Sequence, residues 1–493
     1  MEHRNPVSAT SETSEAILCG NFSLSGSRKL HEVLLLTACI KYLPLGARTS
    51  KTKVIPLDDV IGVQCMKGST NADTKAYLTL YLYPRGRSLT GSPTAVRHRS
   101  VVVFGLGSSH VFTENLETAH VWRQAIRGIM RPIASRRHFS AVWMVVINPS
   151  GGQGKAVRMF QERVGPILAE ADIAFEVVVS EKLGHITGLA RKLDLDKYSA
   201  IVIISGDGLI HEVINGLMTR PDWNRAIQTP LGLIPGGSGN ALAASVHEAC
   251  GETFTHDFPK HAALLLTKSI PVPLDLIYLE TPSEERYAFL SIGWGIIADI
   301  DIESEKFRVL GETRFTVGGL QRLVGLRLYN GTLSYLPADA STPATTALYD
   351  DSLSTQSLPK PATDLLVPLS SPVPTSWTVV DGDFVSVYLA STSRLGVSNV
   401  GIPWAKLDDG LVYLFWVRGG APKSAVASFL LNLGSGDHLK SQYVEMAAVR
   451  AFRLEPREKD GILTVDGERI QYGPIQGQVL PSLGRVMSRQ PTA

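Results

Sequence analysis

Residues 141–156 read A-V-W-M-V-V-I-N-P-S-G-G-Q-G-K-A, and this stretch decides the fold. Its first seven residues are wholly apolar, as in a parallel strand buried on both faces. A glycine-rich turn follows at once, and a helical pattern runs over 155–170. The unit then recurs as strand 175–179, helix 185–192, strand 200–204, helix 208–218, strand 231–234 and helix 240–250. Regular β-α alternation predicts a doubly wound α/β domain over 139–272.

Two more glycine clusters stand at strand ends, S-G-D-G at 205–208 and P-G-G-S-G-N at 235–240. In an open α/β sheet, ligands bind beyond the carboxyl ends of the strands. Glycine lets the backbone approach a phosphate, and free N–H groups at the next helix N-terminus hold the anion. Three such loops, one carrying Lys155 and one a lone carboxylate, point to a phosphate cradle. The first is not a Walker A loop, because Pro149 replaces its first glycine and Ala156 its hydroxyl residue. Nor is it the dinucleotide fingerprint, since G-x-G-x-x-G ends on Val157. Asp207, between two glycines, can accept a proton from an attacking hydroxyl or help to hold Mg²⁺. The plainer alternative is an Asp-Gly turn. A zinc motif H-E-x-x-H fails at Asn215; Glu212 is expected to face the cleft and His211 to pack within the helix.

Around this domain the pattern changes. Residues 1–28 are Ser/Thr-rich and read as a flexible tail, and 29–135 as a β-rich region closed by a helix over 115–130 that carries Trp122. Element order and size there resemble a pleckstrin-homology barrel. Residues 273–485 read as a mostly antiparallel β-rich domain with a mobile Pro/Ser/Thr-rich insertion at about 337–376. With 48 Lys+Arg against 46 Asp+Glu, no general electrostatic nucleic-acid binder is expected. Cys19, Cys39, Cys65 and Cys250 are widely spaced, which fits a reducing compartment and excludes a disulfide scaffold. The longest apolar runs fall short of the ~20 residues that span a bilayer. The expectation is a cytoplasmic protein that meets membranes peripherally.

The runs N-P-S-G-G-Q-G-K, S-G-D-G-L-I-H-E-V-I-N-G-L and P-G-G-S-G-N-A-L-A-A-S resemble the lipid kinases of the diacylglycerol-kinase catalytic-domain superfamily, animal sphingosine kinases in particular. The resemblance continues through A-D-I-D-I-E-S-E-K-F-R-V-L-G-E-T-R-F (298–315), W-T-V-V (377–380), A-F-R-L-E-P (451–456) and V-D-G-E (465–468). It implies a nucleotide-binding domain followed by a sandwich-like lipid-binding domain. The implied reaction is transfer of the ATP γ-phosphate to the primary hydroxyl of sphingosine or dihydrosphingosine, with Mg²⁺ and with Asp207 as general base. The resemblance places the nucleotide on Asn148, Pro149, Ser150, Gly151, Gly152, Gly154 and Lys155, on Ser180, Glu181, Lys182, Leu183 and Gly184, and on Glu212, Gly237, Ser238 and Gly239. It adds Arg308, Arg314, Asp466, Gly467 and Glu468 to that set, with Asp466 and Glu468 also toward the metal. Substrate contacts fall on Ser205, Gly206, Asp207, Gly208, Ser291 and Asp301, the last toward the sphingoid amine.

The residues themselves leave choices open. Arg308 and Arg314 can neutralise a transferring phosphoryl group or pair with Glu303, Glu305 and Glu312. Asp299, Asp301, Glu303 and Glu305 alternate, so in extended conformation they line one face. V-D-G-E is a strong hairpin signal as well as a ligand motif. Ser150 and Gln153 replace residues often basic in the family, leaving phosphate attraction to Lys155 and backbone N–H groups. Residues 315–328 form a basic amphipathic pattern similar to the family's lipid gate, suited to a membrane surface or a calmodulin-like partner. Ceramide or diacylglycerol kinases on the same fold, or a non-catalytic lipid-binding scaffold, are the competing readings.

Overall fold

The computed structural model describes residues 15–27, 29–46, 51–70, 72–87, 93–131, 141–252, 254–255, 257–310, 313–338 and 360–489. The chain divides into two compact units, the first built mainly from the residues up to 136 and the second from nearly all the rest.

In the first unit seven antiparallel strands lie in the spatial order Lys53–Pro56, Cys39–Pro44, Leu30–Leu35, Leu18–Leu24, Ser100–Leu106, Ala76–Leu82, Val60–Lys67. The helix Phe112–Met130 buries Ala119, Trp122 and Ile126 as an apolar stripe at helical spacing, with Asn115 buried at its start by hydrogen bonds to the Thr74 and Ser109 carbonyls. The Trp122 ring meets Phe22 edge-on with centroids 4.9 Å apart. Leu18–Leu24 corrects the expectation of a tail over 1–28. Its alternating burial places Phe22 in the core, and the Gly and Ser residues around it hide the period. Residues 1–14 lie outside the described ones. A bend at 37–38 separates Leu30–Leu35 from Cys39–Pro44, and a 3₁₀ turn at Leu57–Asp59 after Pro56 separates Lys53–Pro56 from Val60–Lys67.

In the second unit four parallel strands take the order Phe175–Val179, Val142–Ile147, Tyr198–Ser205, Leu231–Pro235. The chain winds outward in both directions from Val142–Ile147, so the order reverses between that strand and Tyr198–Ser205. The first two glycine loops therefore straddle the switch point, where open α/β sheets bind ligands. The C-terminal strand Ile475–Ser488 adds to the edge of this sheet through Leu231 and Val486, and also pairs antiparallel with Ile270–Glu280. From there the chain is antiparallel β-structure around buried Trp294, Phe384, Phe452 and Leu454.

Residues 360–376 are not loose, which corrects the reading of 337–376 as a mobile insertion. Buried Arg453 donates to the carbonyls of Val367, Pro368 and Ser371 and to Gln476. A buried guanidinium demands such partners, and this one pins the segment. Residues 339–359 lie outside the described ones. Among the described residues no helix is long and apolar enough to cross a membrane.

Candidate active site

The three glycine loops meet backbone to backbone. A Cβ on Gly151 would lie 2.6 Å from the Gly236 carbonyl oxygen, one on Gly206 2.5 Å from that of Gly239, and one on Gly237 2.4 Å from Gly206 Cα. At these positions glycine serves loop-to-loop contact, whereas Gly154 is needed for its φ of +79°. Side chains complete the frame: Asn148 Oδ1 accepts from the Ser150 N–H at 3.0 Å, and buried Asn240 bonds Gly237 in both directions. Gly206→Ala and Gly237→Ala must displace backbone, with no rotamer to relieve the clash. Each is expected to destabilise by about 1–3 kcal/mol and to loosen nucleotide binding, read by thermal unfolding with and without ATP.

Asp207 opens the helix Asp207–Met218. Its backbone N–H donates to Gly239 O at 3.1 Å, locking the second loop to the third. Its carboxylate accepts from the N–H groups of Ala241 at 2.8 Å and Leu242 at 3.2 Å, the first turn of the helix Ala241–Ala249. Burial pushes this carboxyl up to about 6; the two N–H donors pull it back and Asp466 adds to the rise. A carboxylate held up in this range can accept a proton from a nearby hydroxyl. Ser205 is buried at the strand end beside it.

Across from it the β-rich part supplies the helix Ile296–Glu303. The expectation that Asp299, Asp301, Glu303 and Glu305 line one face of an extended segment is wrong. The D-I-D-I-E alternation mimics a strand, but Ile296 and Ile300, four apart, turn inward as a helix requires. Asp299 and Glu303, also four apart, share Arg322, and Tyr329 donates its hydroxyl to Asp299. Asp301 stands apart from them. Its Oδ1 is 3.5 Å from Arg314, and its Oδ2 lies 3.5 Å from where a Gly467 Cβ would sit. Burial pushes Asp301 up to about 7 against the pull of Arg314, with Glu305, Glu468 and Asp207 adding to the rise. For Arg314 the structure shows an ion pair with Asp301. The Arg308 side chain lies outside the described residues.

The hairpin strands Leu463–Val465 and Glu468–Arg469 flank Asp466 and Gly467. Glu468 Oε1 lies 2.5 Å from where a Gly208 Cβ would sit, so Gly208 leaves room for that carboxylate. The Asp466 carboxylate is buried and engaged by protein groups. It accepts from the N–H groups of Phe289, Leu290 and Ser291 and holds His211 Nδ1 at 2.8 Å. Ser291 also bonds Tyr388, a buried tyrosine whose hydroxyl is pushed up first by burial and then by Asp301, Asp466 and Asp207. Tyr388 and the polar role of His211 went unnoticed in the sequence. His211 carried a signal, standing four residues after Asp207 on the same helix face.

The remaining expected nucleotide residues line the first loop and the turn after Phe175–Val179. Lys155 is exposed, Leu183 is open to solvent, and Gly184 at φ +76° heads the helix His185–Arg191. Glu212 accepts from the Thr187 N–H at 3.4 Å, on the helix that follows the 180–184 turn. Ser238 lies on the third loop between Gly237 and Gly239.

Residues 142–278 match the diacylglycerol kinase catalytic domain, and residues 374–488 the YegS C-terminal NAD kinase beta sandwich-like domain. Human sphingosine kinase 1 is 42% identical over 348 residues, covering 69% of this chain and 88% of that protein. The chain belongs to the sphingosine kinase family. Human sphingosine kinase 2 is 30% identical over 97% of this chain and 92% of its own length. Sphingoid long chain base kinase 4 of Schizosaccharomyces pombe is 30% identical over 74% of this chain and 77% of that protein. A putative diacylglycerol kinase from Bacillus anthracis str. Sterne shares the fold, with a TM-score of 0.51 over 73% of this chain and 98% of that one at 18% identity. The nucleotide-binding and sandwich-like layers of a sphingosine kinase family member are thus both present, and the site described above lies between them.

Proposed function

We propose that the protein transfers the γ-phosphoryl group of ATP to the primary hydroxyl of a sphingoid base, sphingosine or dihydrosphingosine, giving the 1-phosphate. The observation that carries this reading is the facing pair of Asp207 and Asp301. One is a buried carboxylate on the phosphate cradle; the other is a carboxylate across the cleft that pairs, among the described residues, with Arg314. Asp207 takes the proton of the attacking hydroxyl, and Asp301 receives the ammonium group next to it. Placing nucleophile and phosphoryl group in line accounts for most of the acceleration in such transfers. Behind Asp301, Ile296, Ile300, Phe415, Val426 and Phe429 form a packed apolar cluster that holds this helix in place.

Among the described residues no three His, Cys, Asp or Glu side chains gather to hold a metal. Magnesium commonly arrives on nucleotide phosphates with one or two protein carboxylates, and Glu468 and Asp207 fit that need. Bound there, Mg²⁺ would neutralise phosphate charge. Asp466, wholly buried and engaged by three backbone N–H groups and His211 against two N–H groups on Asp207, is left out of that set in this reading.

The N-terminal unit, seven antiparallel strands and a closing helix, is pleckstrin-homology-like in this reading. The enzyme is cytoplasmic and works peripherally at membranes. The helix Thr313–Val324 leaves Leu320 68% and Val324 78% exposed, and Leu431 of the helix Lys423–Leu431, which packs against it, is 74% exposed. Apolar side chains this open, beside Arg327 and Lys423, suit an anionic lipid surface better than water. The same face is where a calmodulin-like partner would compete. Replacing both Leu320 and Val324 with Glu is expected to abolish sedimentation with anionic vesicles while turnover of detergent-dispersed substrate persists.

The reaction itself is tested with γ-labelled ATP and purified protein against sphingosine, dihydrosphingosine, ceramide and diacylglycerol. Labelled product is expected from the two free amines. Label on ceramide or diacylglycerol alone would overturn the substrate assignment.

A further inference from the structure

Asp207, His211 and Asn215 stand four residues apart along one face of the helix Asp207–Met218. That face meets the β-rich part of the second unit at two levels. At the lower one, the Asn215 amide donates to Tyr287 O at 2.8 Å and accepts from Tyr287 N at 2.9 Å, reproducing a backbone pairing with a side chain. At the upper one, His211 Nδ1 holds Asp466 Oδ2 at 2.8 Å, and Asp466 also gathers the N–H groups of 289–291. Both partners are buried, and the Asp466 side chain is wholly so.

Asp466 reaches this position in the left-handed region, at φ +51°, with Gly467 at +82° after it. That conformation is sparsely populated for a residue with a side chain and persists where its surroundings hold it. Here the holding groups are His211 and three backbone donors. The turn they fix carries Gly467 against Asp301 and Glu468 against Gly208, the residue following the base.

We infer that His211 and Asp466 are a positioning pair that sets Asp207 against Glu468 and Asp301, and that Asp466 acts through this clamp instead of touching the nucleotide. The inference rests on Asp207 being the base. One turn of helix separates Asp207 from His211, and two residues separate Asp466 from Glu468, so a shift at the clamp passes directly to both carboxylates. A buried hydrogen-bonded contact is also costly to break from one side, since it leaves a polar group unpartnered.

The test is a kinetic cycle on the full chain. His211→Ala is expected to lower kcat about 10²-fold, the scale of a 1 Å misplacement, with the KM for ATP nearly unchanged. His211→Asn, whose amide nitrogen stands near the place of Nδ1, is expected to recover most of that loss. In a Glu468→Gln background the further loss from His211→Ala is expected to shrink severalfold, because the clamp's output is already impaired. Rates are taken per folded molecule, from unfolding curves of each variant. A loss that disappears on that correction, equal losses in both backgrounds, or no recovery with Asn would each overturn the inference. Should His211→Ala not fold, His211→Gln serves in its place, with the same readings. A rise in the KM for ATP with kcat unchanged in Asp466→Asn would return Asp466 to the nucleotide. Failure of the reading beneath is separate: it shows as full activity in Asp207→Asn.

Discussion

Asp207→Asn is expected to lower kcat by about 10²–10⁴-fold, the range for removing a positioned general base, while ATP still binds. The asparagine oxygen keeps one acceptor for the N–H groups of Ala241 and Leu242, so the two helix starts stay joined. What disappears is the negative oxygen that takes the hydroxyl proton. The wild-type pH dependence follows from the same burial. The carboxyl is held up at about 6, so it is protonated and inert below that value and becomes the working base above it. Activity therefore falls as pH drops through about 6. Nucleotide affinity, measured by thermal shift or titration calorimetry, separates this loss from collapse of the loops.

Asp301→Asn is the second large effect, and it is expected in the lipid. Loss of one charge-assisted contact to an ammonium group corresponds to about 1.5–3 kcal/mol, roughly a 10–100-fold rise in the KM for sphingosine. The KM for ATP is expected to change little. Burial holds Asp301 at about 7 despite Arg314, so the free carboxyl takes up a proton as pH falls through that value and loses its attraction for the amine. The KM for sphingosine is thus expected to climb in wild-type enzyme as pH is lowered from 8 to 6, and to stay flat in Asp301→Asn. Equal loss of lipid and ATP binding in the variant would contradict the assignment to the amine.

Much of the catalytic layer was legible because its signals are local. An all-apolar run such as Val142–Ile147 followed by glycine and a helical period admits few folds, and the loops fall at strand ends by construction. Asp207 was legible because a lone carboxylate between glycines contradicts its phosphate-binding surroundings. What the sequence hid is tertiary. The acidic helix Ile296–Glu303 alternates like a strand, and only the apolar surroundings of Ile296 and Ile300 decide for helix. Asp466 sits in a hairpin turn, so its chemistry read as exposed; its partner His211 lies 255 residues earlier, beyond the reach of any local pattern. The glycines of the three loops were read as making room for phosphate, whereas Gly151, Gly206 and Gly237 first make room for one another's loops. Arg453 likewise gives no sign in the sequence that it pins 367–371.

The base role of Asp207 is tested most directly by single-turnover transfer of labelled phosphate from ATP to sphingosine across pH, in wild-type enzyme and in Asp207→Asn. The expected result is a wild-type rate that falls with a single proton as pH drops through about 6, and a variant rate that is far lower and lacks that limb. A variant that transfers phosphate at the wild-type rate with the same pH profile would contradict the account.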